Sequence, residues 1–285
     1  MDFSILSVWF GWEETAVLQN LLLLLGVALS ISALGFVRVV YFVSVGYAFS
    51  IVAMIGVMVV QFRTHLTVVS GLQLLLLLAW GLRLGIFLVR REFSESYRRT
   101  LANTYGDTDA MPFLQKMLIW IGVSLLYVCM FSPGVFGITA VSTFPVWLIH
   151  FFQSIGLVVM AGGLFIETIA DKQKSDFKQQ APGQFCNVGL YRYLRYPNYF
   201  GEIDVWVGFW LISVPFYNTP FKWIVATIGL VCIVLIMMGS AKRLEASQGE
   251  RYGHQTTYQT YVSTVPILFP HIPLYTLKNI RVYLE

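Results

Sequence analysis

The stretch Gly189-Leu190-Tyr191-Arg192-Tyr193-Leu194-Arg195-Tyr196-Pro197-Asn198-Tyr199-Phe200-Gly201-Glu202-Ile203 holds two arginines, four tyrosines, an asparagine and a carboxylate. It stands between a polar segment and an apolar run that opens near Ile203. Polar and ionisable groups at the edge of a membrane span are costly and usually face a protein interior or a cavity, which makes this a candidate ligand site. A competing reading gives Arg192 and Arg195 to phospholipid headgroups and the tyrosines to an interfacial belt. The density of hydrogen-bonding groups favours the site for the stretch as a whole.

Other residues could join it. Residues four apart share a helix face, so Asn198 with Glu202, and Glu167 with Asp171, would each stack one turn apart. Arg83 sits about two turns inside an apolar run, roughly 10 Å deep at 1.5 Å per residue. It should face an anionic ligand or a carboxylate, with Glu202, Asp204 or Glu167 as candidates; a purely structural ion pair would serve as well. Lys172, Lys174 and Lys178 lie near Arg192 and Arg195 in sequence, and such a cluster could hold a cofactor phosphate, since guanidinium forks match phosphate oxygens. Anionic lipid accounts for the same charges. Gly162-Gly163, Gly201 and Gly208 would let helix backbones approach closely. Trp206, Phe209 and Trp210 are packing surface, or an aromatic wall for a flat lipid.

Several chemistries have no signature. No GxGxxG follows a strand, there is no Walker loop, HExxH or GxSxG, and His65, His150, His254 and His271 are too far apart to suggest a metal site. Cys129, Cys186 and Cys232 are scattered and read as free thiols. Glu167 could serve a proton relay, but one carboxylate per region is thin support for a transporter.

The elements that must position these residues are membrane helices. The chain is 57% hydrophobic and only 12% charged, with a mean hydropathy of +0.69, which marks a membrane-embedded, all-α protein. It has room for about seven spans in one bundle, a single membrane domain over 1–285 made of a two-span region, 1–65, and a remainder, 66–285, that carries the site. The spans are expected near 16–37, 39–62, 66–89, 113–131, 144–170, 203–215 and 221–240, the fourth stopped by Ser132-Pro133-Gly134. Between and after them lie the polar segments 90–112 and 171–200 and the tail 242–285, where Pro266, Pro270 and Pro273 argue against a long closing helix. The net charge of +4 resides in short loops, which points to headgroups and topology and away from nucleic acid. The start, Met1 to Glu14, lacks a basic n-region and reads as retained. If the loops 90–116 and 171–200 and the tail share a face with Arg38, sixteen of the nineteen Lys and Arg residues lie on it. The positive-inside rule then puts the N-terminus outside or luminal, and the polar loops, the C-terminus and the mouth of the site on the cytosolic side.

Gly162-Gly163-Leu164-Phe165-Ile166-Glu167-Thr168-Ile169-Ala170-Asp171-Lys172-Gln173, then Phe177-Lys178 and Gly189 to Glu202, closely resemble the DUF1295 group within the steroid 5-alpha-reductase superfamily. The resemblance is strong over 160–215. It extends more weakly to Trp80-Gly81-Leu82-Arg83-Leu84 with Arg90-Arg91, and to Tyr258-Gln259-Thr260-Tyr261 with Val265-Pro266. It implies a seven-span bundle that binds NADPH from the cytosolic side and reduces a carbon–carbon double bond conjugated to a ketone in a steroid-like or other lipid. By the same resemblance Asp171, Lys178, Tyr191, Arg192, Arg195, Asn198, Tyr199 and Glu202 hold the dinucleotide, Arg83 reaches it from the third span, and Glu202, Tyr199 and Trp80 are the catalytic candidates. Two motif positions depart from the pattern. Trp80 stands where the steroid reductases have a tyrosine donor, and its indole N–H can donate a hydrogen bond but not deliver a proton. Tyr196 stands where a histidine is common. Glu13-Glu14 precede the first span and are no assured counterpart of the family's Gln-Glu pair. The Arg-rich turn, Pro197 and a later glutamate are also similar to the isoprenylcysteine carboxyl methyltransferases, which bind S-adenosylmethionine; Glu245 would then be a second site carboxylate. A third reading is a structural subunit of a membrane complex, or a lipid-binding module, that retains the fold.

Overall fold

The structure is a computed structural model that describes residues 4–93, 111–270 and 272–280. Glu95, the Gly106-Asp107 turn, His271 and the side chains of Glu13-Glu14 lie outside the described residues. Regular structure among the described residues is helical throughout: α1 (Ser4–Ser32), α2 (Val45–Phe62), α3 (Val68–Glu92), α4 (Phe113–Thr139), α5 (Val146–Gln180), α6 (Pro197–Ser213), α7 (Pro220–Tyr252) and α8 (Thr256–Thr264), with single 3-10 turns at Ala33–Phe36, Val39–Val43, Gly189–Arg192 and Val214–Phe216. Six helices, α1 to α5 and α7, are long and apolar enough to cross a bilayer. The chain is therefore a multi-pass, all-α membrane protein. The seventh expected span falls in α6, whose 17 residues extend only about 25 Å at 1.5 Å per residue, short of a hydrocarbon core of about 30 Å.

Three boundaries differ from the sequence reading, each for a local reason. The Ser132-Pro133-Gly134 breaker does not end the fourth helix, which runs on to Thr139 with Pro133 inside it. Proline removes the N–H that would have paired with the Cys129 carbonyl, and the Ser132 hydroxyl donates to that carbonyl instead, at 2.8 Å. Such a side-chain substitute is how a membrane helix tolerates proline. Next, α5 is 35 residues long and continues past Ala170 to Gln180. No Gly or Pro falls between Ala170 and Pro182-Gly183, so the first third of the polar segment 171–200 is helix. Finally, α7 carries eleven residues of the tail, Lys242 to Tyr252, and Gly253 follows. Among the described residues beyond it, the nine-residue α8 is the one helix.

The chain packs as two compact units, Met1–Ser154 with Phe209–Gly229, and Ile155–Gly208 with Leu230–Glu285. In the first, a large apolar core that includes Leu24, Ile51, Met54, Met58, Leu77, Phe131 and Phe136 is buried, and several hydrogen bonds within it join neutral groups, beside the Arg38–Glu92 pair and the Lys222–Asn218 bond. Ser32 and Ser124 hydroxyls meet at 2.8 Å, Trp120 Nε1 donates to the Leu29 carbonyl at 2.9 Å, the Tyr127 hydroxyl donates to the Phe42 carbonyl, and Gln73 Nε2 donates to the Phe209 carbonyl at 3.1 Å. Between membrane helices, where apolar contact gives no preference over lipid, such bonds and close packing hold the bundle. A Cβ at Gly229 would stand 2.5 Å from the Cys129 backbone, so glycine there lets α7 press on α4.

In the second unit α5 and α6 meet backbone to backbone. A Cβ on Gly163 would lie 2.6 Å from the Gly201 carbonyl oxygen, and one on Gly201 would lie 2.7 Å from the Glu167 amide. One helical turn pair further on, Gly208 sits equally close to Met160. The glycines that the sequence marked for close approach do that work, and they bring the start of α6 against the Glu167 turn of α5.

Candidate functional site

The site stretch folds as a 3-10 turn, a bend and the first turns of a helix. Gly189 has φ +58°, a left-handed conformation that glycine adopts freely, and the Gln173 carboxamide occupies the space a Cβ would need. Gln173 Oε1 accepts the Leu190 N–H at 2.8 Å. This docks the 3-10 turn on α5 and buries Tyr191 among Ala170, Cys186, Phe177, Val188 and Leu190. Pro197 then opens α6, where its missing N–H costs nothing and its fixed φ suits a first helical residue.

Arg195 is the pivot. Its side chain is 1% exposed, and Nη1 lies 3.5 Å from Glu245 Oε1. Nη1 also donates to the Tyr275 carbonyl at 2.9 Å, while the backbone N–H groups of Arg195 and Tyr196 donate to the carbonyls of Pro266 and Ile267 at 3.0 and 3.2 Å. Glu245 Oε2 accepts the Leu277 N–H at 2.9 Å. The described residues 266–270 and 272–277 are thus tied down as a strap, its own Ile267, Leu268 and Leu277 fully buried. Charges this deep survive only when paired and hydrogen-bonded.

Phenols surround the pair. Burial pushes the hydroxyls of Tyr196, Tyr258 and Tyr261 above the ordinary tyrosine range, against the opposing pull of the Arg195 charge. Burial also raises Tyr191, reinforced by the negative charge of Asp171. All four remain O–H donors at neutral pH. The Tyr261 hydroxyl donates to the Tyr191 carbonyl at 2.8 Å. Phe185 packs edge-on to Tyr258 at 5.1 Å, and the Lys178 ammonium donates to the Gln184 carbonyl and to the Tyr252 hydroxyl. Burial raises the Cys186 thiol, with Lys174 and Lys178 pulling the other way.

The second unit therefore contains Asp171, Lys178, Tyr191, Arg192, Arg195, Asn198, Tyr199 and Glu202. Of these, Tyr191, Arg195 and Glu202 are buried, Asp171, Lys178, Asn198 and Tyr199 half-buried, and Arg192 exposed. Trp80 and Arg83 fall in the first unit. Trp80 is fully buried, edge-on against Tyr47 at 5.3 Å, and Arg83 is half-buried one turn later. Sequence reasoning did not foresee that Glu245 partners Arg195, nor that Tyr252, the Tyr275 carbonyl and Phe185 join the cluster. A signal for Glu245 existed: a buried arginine needs an acid, and the tail from 242 offers only Glu245, Glu250 and Glu285.

Five buried polar atoms in this cluster have no hydrogen-bond partner among the described residues: Tyr191 Oη, Tyr196 Oη, Asn198 Oδ1, and Nε and Nη2 of Arg195. Native proteins pair nearly all such atoms, so each calls for an explanation. A family model described as "Protein of unknown function (DUF1295)" matches residues 33–265. The chain belongs to the DUF1295 family. No curated protein and no solved structure matches it. Within this DUF1295 chain the matched region takes in Arg195, Glu245 and every unpartnered atom just named, and it ends one residue before the strap. Among the described residues no group of three His, Cys, Asp or Glu side chains could hold a metal.

Proposed function

We propose that this DUF1295 protein is an NADPH-dependent reductase of a carbon–carbon double bond conjugated to a carbonyl in a steroid-like or other lipid. The observation that carries the reading is the set of buried, unpartnered polar atoms on Tyr191, Arg195, Tyr196 and Asn198, which fits a ligand rich in phosphate, hydroxyl and amide groups. The superfamily resemblance of the same residues supports it. Bound NADPH supplies hydride. Arg195 offers two N–H donors to phosphate oxygens, Tyr191 and Tyr196 offer phenol donors, and Asn198 Oδ1 accepts. Arg192 and Lys172 are exposed and face charge at the mouth of the site. Tyr199 and Glu202 are the groups on the first turns of α6 able to move a proton to the substrate. The positive-inside rule, applied to the basic polar segments, supports a cytosolic mouth and an N-terminus that is outside or luminal.

The test is turnover. Purified protein given NADPH and a panel of enone lipids should consume cofactor, and Tyr199→Phe or Glu202→Gln should lower kcat by about a hundredfold or more, the range for losing a positioned proton-transfer group. Methyl transfer from S-adenosylmethionine with no NADPH consumption would replace this reading with the methyltransferase. Turnover with neither would leave the protein as a structural or lipid-binding subunit.

A further inference from the structure

The Arg195 guanidinium is divided. One corner, Nη1, is spent inside the protein on Glu245 Oε1 and the Tyr275 carbonyl. The other edge, Nε and Nη2, is buried without a hydrogen-bond partner among the described residues, and the Tyr258 phenol faces this guanidinium. Those two N–H groups point the same way along one side of the planar group and match two oxygens of a single anion, the geometry that gives arginine its bidentate grip on phosphate and carboxylate. Which edge stays open is decided by Glu245, because its carboxylate fixes the guanidinium by the opposite corner. Glu245 is itself fixed through its second oxygen by the Leu277 N–H, and the strap is pinned at its other end by Arg195 and Tyr196 through Pro266 and Ile267. Arginine, glutamate and strap form one closed circuit of an ion pair and hydrogen bonds.

We propose that Glu245 is a positioning residue: it aims the Nε–Nη2 edge of Arg195 at a pair of anionic oxygens on the ligand and couples the occupancy of that edge to closure of the strap Pro266–Leu277. The oxygens belong to a phosphate or pyrophosphate group if the ligand is a dinucleotide and to a carboxylate if it is an amino-acid derivative such as S-adenosylmethionine. The inference deepens the site on which the proposed reductase rests, but the fork and strap do not depend on which of the two ligands is bound. An anion in the fork holds the guanidinium in the one placement from which Nη1 reaches the Tyr275 carbonyl and Glu245, so ligand and strap favour the same arrangement of Arg195. Ligand and strap then stabilise one another, and by linkage each must do so by the same factor.

The experiment is amide hydrogen exchange over residues 266–277 of the full-length, detergent-solubilised protein, without ligand and with NADPH, S-adenosylmethionine or inorganic pyrophosphate, in wild type, Glu245→Gln, Glu245→Asp and Arg195→Lys. At least one probe should slow strap exchange in wild type. Its affinity should fall about ten- to hundredfold in Glu245→Gln and Arg195→Lys, the range for losing a charge-assisted hydrogen bond, and Glu245→Asp should recover part of the loss, which a role in packing alone would not give. If Glu245→Gln does not fold, Glu245→Asp and Arg195→Lys carry the comparison. Protection by pyrophosphate without binding of NADPH upholds the fork and removes the reductase reading; protection by S-adenosylmethionine alone upholds it in favour of a carboxylate. Equal binding of NADPH by wild type and Glu245→Gln upholds the reductase and overturns the positioning role, as does a strap that no probe protects.

Discussion

The two units bury polar groups for different ends. In the first, serine, glutamine, asparagine and tyrosine side chains pair with one another or with backbone carbonyls across helices, and the cavity walled by His65, Thr67, Ser70, Gln73 and Gln153 has no lysine, arginine or carboxylate in its lining. Its buried lysine, Lys222, is held by Asn218 Oδ1 at 2.6 Å. In the second, a buried arginine and glutamate are roped to the tail, ringed by phenols, and left with hydrogen-bonding capacity unspent. Neutral pairs fasten membrane helices at modest cost, whereas an incompletely satisfied buried charge is retained at considerable cost. Buried polar atoms without a hydrogen bond occur in the first unit too, on Ser50 and Trp210, so what sets the second apart is the buried Arg195–Glu245 pair tied to the tail.

Glycine substitutions should break both units most severely. Gly201→Val would drive side-chain atoms into the Gly163 carbonyl and the Glu167 amide, and Gly229→Val would do the same to the Cys129 backbone in the first unit. Overpacking costs about 1–3 kcal/mol even where neighbours can shift, and here the neighbours are backbone. Both variants should lose the monodisperse folded peak on size exclusion, which would show that each unit depends on its own helix contact.

Smaller changes should part the units. Glu245→Ala leaves Arg195 buried without its counter-charge, a loss of about 3–5 kcal/mol, and frees the strap to proteolysis. Ser132→Ala uncaps the Cys129 carbonyl beside Pro133 and should cost about 1–3 kcal/mol, the penalty for one buried unsatisfied acceptor, with no effect on the tail. Limited proteolysis read by mass spectrometry distinguishes the two outcomes. A tail that opens equally in Ser132→Ala would erase the distinction between the regions.

Much of this architecture was legible in the sequence because apolar length and the cost of buried polar groups are local properties. The six long spans, the pressed glycines at 163, 201 and 208, and the concentration of site residues between 189 and 202 follow from them. The misreadings came from effects that sequence position hides. Pro133 looked like a stop because the hydroxyl that excuses it is its own neighbour, Ser132, and only the geometry shows where that hydroxyl points. The helical extension from Asp171 to Gln180 looked like loop because it is polar, although nothing in it breaks a helix. Glu245 was tied to Arg195 by the fold across fifty positions, a pairing that charge alone suggests but cannot place. Trp80 was read for its indole N–H, and the structure adds that it is core, edge-on against Tyr47.

The most direct test of the central claim is thermal unfolding of the purified protein with saturating NADPH, NADH, S-adenosylmethionine or no ligand, in wild type and Asn198→Ala. Because Asn198 Oδ1 makes no hydrogen bond among the described residues, its removal should change the ligand-free unfolding temperature little, within about 0.5 kcal/mol. NADPH at about a hundred times its dissociation constant should stabilise wild type by about 2.7 kcal/mol, and Asn198→Ala should lose most of that shift. No stabilisation of wild type by NADPH, or a ligand-free collapse of Asn198→Ala, would contradict the account.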